Sequence, residues 1–80
     1  MDFDQELDTR GLLCPIPILK TKLAIDKLQP GQVLKVVSTD PGSVRDMQAF
    51  ARQTRNPLLR SSVDGKDHIF FLRKDGAQER

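Results

Sequence analysis

Two prolines at alternate positions, Pro15 and Pro17, follow the only cysteine of the chain in the stretch Arg10-Gly11-Leu12-Leu13-Cys14-Pro15-Ile16-Pro17-Ile18-Leu19. Proline fixes φ and lacks an N–H, so it is tolerated in the first turn of a helix and disruptive further in. The pair therefore pins a helix start here. Pro15 is predicted at the first helical position and Cys14 at the N-cap, with Pro17 still inside the first turn and the helix running on to Leu28. A thiol there lies at the positive end of the helix dipole, which favours thiolate. The prolines remove two of the four free N–H groups of that turn, leaving Ile16 and Ile18 as donors. A modestly depressed Cys14 pKa is expected, with Arg10 and Lys20 as possible cationic help. The position equally suits a small buried hydrophobe ahead of an ordinary proline-started helix.

The rest of the chain falls into short elements around this junction. Phe3, Leu7 and Thr9 lie on one side of a period-2 pattern and Glu6, Asp8 and Arg10 on the other, predicting a strand over residues 6–10 that Gly11 ends. In the first helix, Ile18, Thr21, Ala24, Ile25 and Leu28 form one apolar stripe. Ile16, Leu19 and Leu23 form a second. The second stripe either widens the core or stands exposed beside Cys14, where it would suit a protein partner. Gln29-Pro30-Gly31 stops the helix.

Gln32 to Ser38, with Val33, Leu34, Val36 and Val37, predicts a central strand parallel to the first through a strand–helix–strand unit. Thr39-Asp40-Pro41-Gly42-Ser43 is a turn, with Asp40 or Ser43 as candidate cap of a second helix to Thr54. Val44, Met47, Phe50 and Ala51 supply its apolar stripe. After Asn56-Pro57, residues 58–63 and 67–74 flank Asp64-Gly65, which predicts a type I′ hairpin. Ile69-Phe70-Phe71-Leu72 reads as an interior strand, and residues 75–80 as a loose tail. The order βαβαββ predicts an α/β (α+β) two-layer sandwich, with two helices on one face of a mixed four-stranded sheet. Residues 1–80 form one domain with its core at about residues 6–74.

Several functions are disfavoured by what the chain holds. One cysteine allows neither an internal disulfide nor a two-cysteine redox cycle. No apolar run approaches a membrane span, and the acidic start Met1-Asp2-Phe3-Asp4-Gln5-Glu6 is unlike a signal peptide. A cytoplasmic protein is the expectation. A net charge of +2, interleaved charges and the lack of Trp and Tyr argue against direct nucleic-acid binding. One Cys and one His fall short of a zinc ligand set, so no metal is expected. His68, near the start of the last strand, is read as a strand-end residue rather than the base of a Cys/His enzyme.

Leu7-Asp8-Thr9-Arg10-Gly11-Leu12-Leu13-Cys14-Pro15-Ile16-Pro17 resembles the signature of the TusA/SirA family of small sulfur carriers. Thr39-Asp40-Pro41-Gly42-Ser43-Val44-Arg45-Asp46-Met47 resembles that family's second segment, and the likeness runs from about Leu7 to Lys74. The resemblance implies the same two-layer sandwich and a cytoplasmic sulfurtransferase that holds sulfur as a persulfide on Cys14, with Pro15 and Pro17 as conformational supports. It implies no cofactor. Asp8, Arg10 and Gly11 match the segment leading into the motif, with Gly11 serving the turn and Arg10 a salt bridge. Asp40 and the pair Arg45-Asp46 are read as a cap and a surface ion pair. The partners implied are a protein sulfur donor, a cysteine desulfurase or rhodanese-type protein, and a protein acceptor in tRNA 2-thiouridine synthesis, cofactor synthesis or sulfur oxidation. Leu13 and Ile16 stand where the tRNA-thiolating branch more often carries a basic and an acidic residue, which points to a different set of partners. Recognition would involve Ile16, Leu19 and Leu23, steered by Arg10, Lys20 and Lys22, with the carrier a monomer. The rival reading is a regulatory or protein/RNA-interaction module in which Cys14 is only structural.

Overall fold

The computed structural model describes residues 2–75 of the chain. The expected loose tail beyond Asp75, residues 76–80, lies outside the described residues. The elements run β1 (Gln5–Thr9), α1 (Ile16–Asp26), β2 (Val33–Ser38), α2 (Ser43–Thr54), β3 (Leu58–Asp64) and β4 (Asp67–Arg73). This is the predicted βαβαββ order, and the strands form one sheet in the order β1-β2-β4-β3. β1 and β2 pair in parallel, Leu7 opposite Val36 and Thr9 opposite Ser38. β4 is antiparallel to both β2 and β3, which makes Ile69-Phe70-Phe71-Leu72 interior as its unbroken apolar run requires.

Alternation along the central strands separates the two faces of the sheet. Leu34, Val36, Phe70 and Leu72 point to the helices and join Ile25, Leu28, Met47, Phe50 and Ala51 in one core. Each amphipathic stripe is thereby buried against the same sheet face. Ile18, Ala24 and Val44 pack at its margin. On α1 the core stripe holds as expected and takes in Pro17, which is buried with Thr21 and Ile25. Thr21 meets its hydroxyl's need inside the core by donating to the Pro17 carbonyl at 2.7 Å.

The second stripe of α1 is resolved in favour of exposure: Ile16, Leu19 and Leu23 are 41%, 53% and 63% exposed, and Leu13 is 72% exposed. One face of α1 meets the sheet, and these residues point away from it.

Four local expectations are corrected. Phe3 does not share the face of Leu7; its ring packs against Phe71, centroids 6.2 Å apart, on the far side of the sheet, under the Lys35 ammonium at 5.3 Å. The strand runs Gln5–Thr9, one residue earlier at each end than expected, and does not reach back to residue 3. The β3–β4 turn closes on the pair Asp64–Asp67, with Gly65 and Lys66 at its centre, one residue later than expected. Only Gly65 has positive φ (+64), the sign pattern of a type II′ turn rather than type I′. Neither Asp40 nor Ser43 caps α2 by its side chain; Gly42 occupies the cap. Asp40 instead accepts from Gly42 N at 3.0 Å, bracing the turn two residues on.

Candidate functional site

Parallel strands deliver their C-terminal ends to the same edge of a sheet, and in open α/β sheets sites gather there. Here the loop after β1 carries Cys14 and the loop after β2 carries Asp40. Gly11, at φ +82, makes the turn out of β1 and donates its N–H to Thr39 Oγ1 at 2.9 Å. Leu12 N donates to Thr9 O at 3.1 Å, completing the turn. The chain then reaches Cys14, whose backbone N–H donates to Asp40 Oδ2 at 2.8 Å. The two loops are thus stitched together at Gly11 and at Cys14.

The helix start lies one residue later than the prolines alone suggest. Pro15, at φ −93° and ψ 12°, is the N-cap and Ile16 the first helical residue, so Cys14 precedes the cap and Pro17 is second in the helix. The Cys14–Pro15 peptide bond is cis. Lying one residue before the cap, Cys14 is displaced from the free N–H groups that a helix start offers an anion.

Carboxylates face the sulfur instead. Cys14 Sγ donates to Asp46 Oδ2 at 2.7 Å, with Asp46 held in the first turn of α2. Partial burial, the hydrogen bonds to Asp46 and Asp40, and the charges of both push the thiol pKa up from 9.0 to about 12. This reverses the expected depression. The cations invoked for it are placed elsewhere: Arg10 is engaged with Asp8 at 3.0 Å and Asp67 at 3.5 Å. Lys20 is exposed on α1, and Lys22 pairs with Asp26 at 3.2 Å. The backbone N–H groups of Cys14 and Gly42 hold the Asp40 carboxyl below its usual range.

Asp46 also overturns its expected role as half of a surface ion pair with Arg45. Arg45 is exposed and forms no ion pair among the described residues, while the Asp46 carboxylate goes to the sulfur. His68 stands opposite Ser38 at the start of β4, closer to the site than its sequence position suggested. Its Nδ1 is buried without a hydrogen-bond partner among the described residues.

Of the residues singled out in the sequence, Gly11, Cys14 and Pro15 come together at the loop pair. Pro17 goes into the core. Leu13, Ile16, Leu19 and Leu23, on the segment that carries the cysteine, are exposed apolar groups. A shallow depression of about 260 Å³, lined by Pro15, Ile18, Asp46, Ala49, Phe50 and Gln53, lies beside it between the two helices. Asp40 and Asp46 as partners of the cysteine were missed. The signal that could have found them is topological: a parallel β1–β2 pair brings the segment after each strand to one edge.

A single partly accessible sulfur can, as its thiolate, exchange a sulfur atom with another protein's cysteine. Comparison with known proteins bears on that capacity. Residues 5–74 match the family described as sulfurtransferase TusA. The sulfur carrier protein TusA of Allochromatium vinosum is 52% identical over 73 residues, covering 91% of this chain and 96% of that protein. A putative sulfur carrier protein of Aquifex aeolicus is 43% identical over 77 residues, and there the chain spans 39% of the relative's length. The crystal structure of a SirA-like protein from Desulfitobacterium hafniense superposes with a TM-score of 0.80 at 22% identity, covering 90% of this chain and 99% of that one, a likeness of fold.

Proposed function

The chain belongs to the TusA sulfurtransferase family, and from that premise we propose that it carries sulfur as a persulfide on Cys14 and relays it between proteins. The observation that carries this reading is the placement of the lone cysteine at a loop edge, partly accessible, on a segment whose Leu13, Ile16 and Leu19 are exposed. In loading, the Cys14 thiolate attacks the outer sulfur of a donor persulfide. A Cys14–sulfur bond forms as the donor's sulfur–sulfur bond breaks, and the donor's cysteine leaves as thiolate. Delivery is the same exchange in reverse sense, with an acceptor thiol attacking the outer sulfur on Cys14. Neither step requires a metal or an organic cofactor.

The donor is a cysteine desulfurase or a rhodanese-type protein, and the acceptor is a protein of tRNA 2-thiouridine synthesis, cofactor synthesis or sulfur oxidation. Leu13 and Ile16, exposed on either side of Cys14 in the chain, favour partners with an apolar contact surface over direct binding to nucleic acid. Gly11 sets the turn, Pro15 and Pro17 fix the start of α1, and Arg10 braces the loop through Asp8 and Asp67. Leu19 and Leu23, with Lys20 and Lys22, extend the contact along α1. The carrier works as a cytoplasmic monomer. Among the described residues, no helix is long and apolar enough to cross a membrane.

The test is cyanolysis after loading. The protein is incubated with a cysteine desulfurase and cysteine, separated from both, and treated with cyanide, which removes only sulfane sulfur as thiocyanate. About one thiocyanate per chain from wild type and none from Cys14→Ser is expected. Equal yields from the two, or none from either with several donors, overturn the reading in favour of a structural cysteine.

A further inference from the structure

The loading step requires a thiolate, yet the free protein surrounds the sulfur with groups that oppose one. Asp46 Oδ2 accepts from Sγ at 2.7 Å, and Asp40 Oδ2 accepts from the backbone N–H of the same residue at 2.8 Å. The charged groups on the neighbouring elements leave this field uncompensated. The loop after β1 contributes Arg10, which is spent on Asp8 and Asp67; α1 contributes Lys20, exposed; α2 contributes Arg45, exposed and without an ion pair among the described residues; β4 contributes His68, opposite Ser38 at its start.

Building on the persulfide-carrier reading, we propose that Asp46 is a positioning residue that keeps Cys14 as a thiol in the free carrier, and that the sulfur donor releases it by pairing a cationic side chain with Asp46. The donor's surface is therefore basic where it meets Cys14 and apolar where it meets Leu13, Ile16 and Leu19. Pairing removes the acceptor of the S–H hydrogen bond and the charge that disfavours thiolate. The thiol proton leaves to solvent, and the electron pair left on Sγ forms the bond to the donor's outer sulfur. The donor's own sulfur–sulfur bond breaks, and its cysteine departs as thiolate with the electron pair of the broken bond and takes up a proton. No oxidant or reductant is consumed. A loaded persulfide anion faces the same two carboxylates and is driven outward, towards the acceptor. The carrier reacts on docking and resists stray electrophiles between dockings.

The experiment measures the reduced thiol with small reagents, so its outcome is separate from whether persulfide loads at all. Wild type is reacted with a trimethylammonium-bearing and a sulfonate-bearing methanethiosulfonate of the same length, and the two rates are compared. With Asp46 hydrogen-bonded to the sulfur and Asp40 to the backbone N–H of the same residue, at least about a tenfold preference for the cationic reagent is expected beyond that shown by 2-mercaptoethanol, weakening as salt is added. Asp46→Asn, which keeps the shape, should shrink that preference to about threefold. The variant should also react faster with neutral iodoacetamide at pH 7.5. Loss of the hydrogen bond and the charge raises the thiolate fraction, only partly offset by the lower nucleophilicity of a more acidic thiol, so a rise of at least about twofold is expected. A wild type indifferent to reagent charge overturns the proposal without recourse to any variant. So does an Asp46→Asn thiol that alkylates at the wild-type rate or more slowly, which would make Asp46 a base or a bystander.

Discussion

Raising the pH on the wild-type protein reads the field around Cys14 directly. A thiol pushed from 9.0 to about 12 carries, at pH 7.5, about a thousandfold less thiolate than an unperturbed one, since each tenfold follows one pH step. Thiolate nucleophilicity rises with basicity with a Brønsted slope of ~0.4–0.5, which returns about twentyfold of that loss. Cys14 should therefore alkylate about fiftyfold more slowly than a free cysteine peptide at pH 7.5. Its rate should keep climbing about tenfold per pH step to at least pH 10, where the peptide has levelled off. The assay is second-order alkylation by iodoacetamide, followed by intact mass in buffers of constant ionic strength, with far-UV circular dichroism confirming the fold at each pH. A plateau near pH 8.5 with a peptide-like rate would refute the reasoning, because it would mean that neither burial nor the two carboxylates act on the sulfur. A plateau below pH 7 would restore the helix-dipole account.

Other substitutions probe the frame that holds the site. Met47 is fully buried beneath the first turns of α2, so Met47→Ala should cost about 2–5 kcal/mol and lower the thermal midpoint by at least about 8 °C in a domain of this size. A midpoint within about 2 °C of wild type would show that the core is not packed as described. Leu19→Glu with Leu23→Glu changes two exposed positions and should move stability by less than about 0.5 kcal/mol each, while sulfur transfer from a desulfurase falls at least about tenfold if α1 is the contact surface. Unchanged transfer would remove that strip from the interface. Asp8 and Asp40 are held below their ordinary value of 3.8, Asp8 chiefly by the Arg10 side chain and Asp40 by backbone N–H groups. In acid the unfolded chain therefore binds more protons than the folded one, and stability present above pH 3.8 is lost as pH falls below it. Urea titrations at pH 6 and pH 3 should show that loss, and Asp40→Asn should diminish it; an unchanged acid slope in the variant would mean that Asp40 contributes nothing to it.

The architecture was legible because its signals are local and repeated. The Pro15/Pro17 pair, the stripe Ile18-Thr21-Ala24-Ile25-Leu28, and the unbroken run Ile69–Leu72 each specify one element and which face it buries. They agree with one another on a two-layer sandwich. What escaped notice depends on contacts between residues far apart in sequence. Asp46 reaches Cys14 across 32 positions, and Asp40 does so across 26. Read locally, each looks like a cap or a surface charge, and only the parallel pairing of β1 and β2 brings them to the thiol. The error over Cys14 acidity has the same origin. A helix N-terminus is a one-dimensional argument, and it was outweighed by a displacement of one residue from the cap and by two carboxylates from elsewhere in the chain. The exposure of Ile16, Leu19 and Leu23 could not be decided from α1 alone, because periodicity gives the stripes of a helix but not which of them a sheet will cover.

The central claim is that Cys14 holds a sulfur atom between partners, and intact mass tests it most directly. Wild type and Cys14→Ser are each incubated with a cysteine desulfurase and free cysteine, then weighed before and after reduction. The account predicts a gain of one sulfur atom on wild type, lost on reduction and absent from the variant. A wild type that gains no mass with several sulfur donors, or a variant that gains as much, would contradict it.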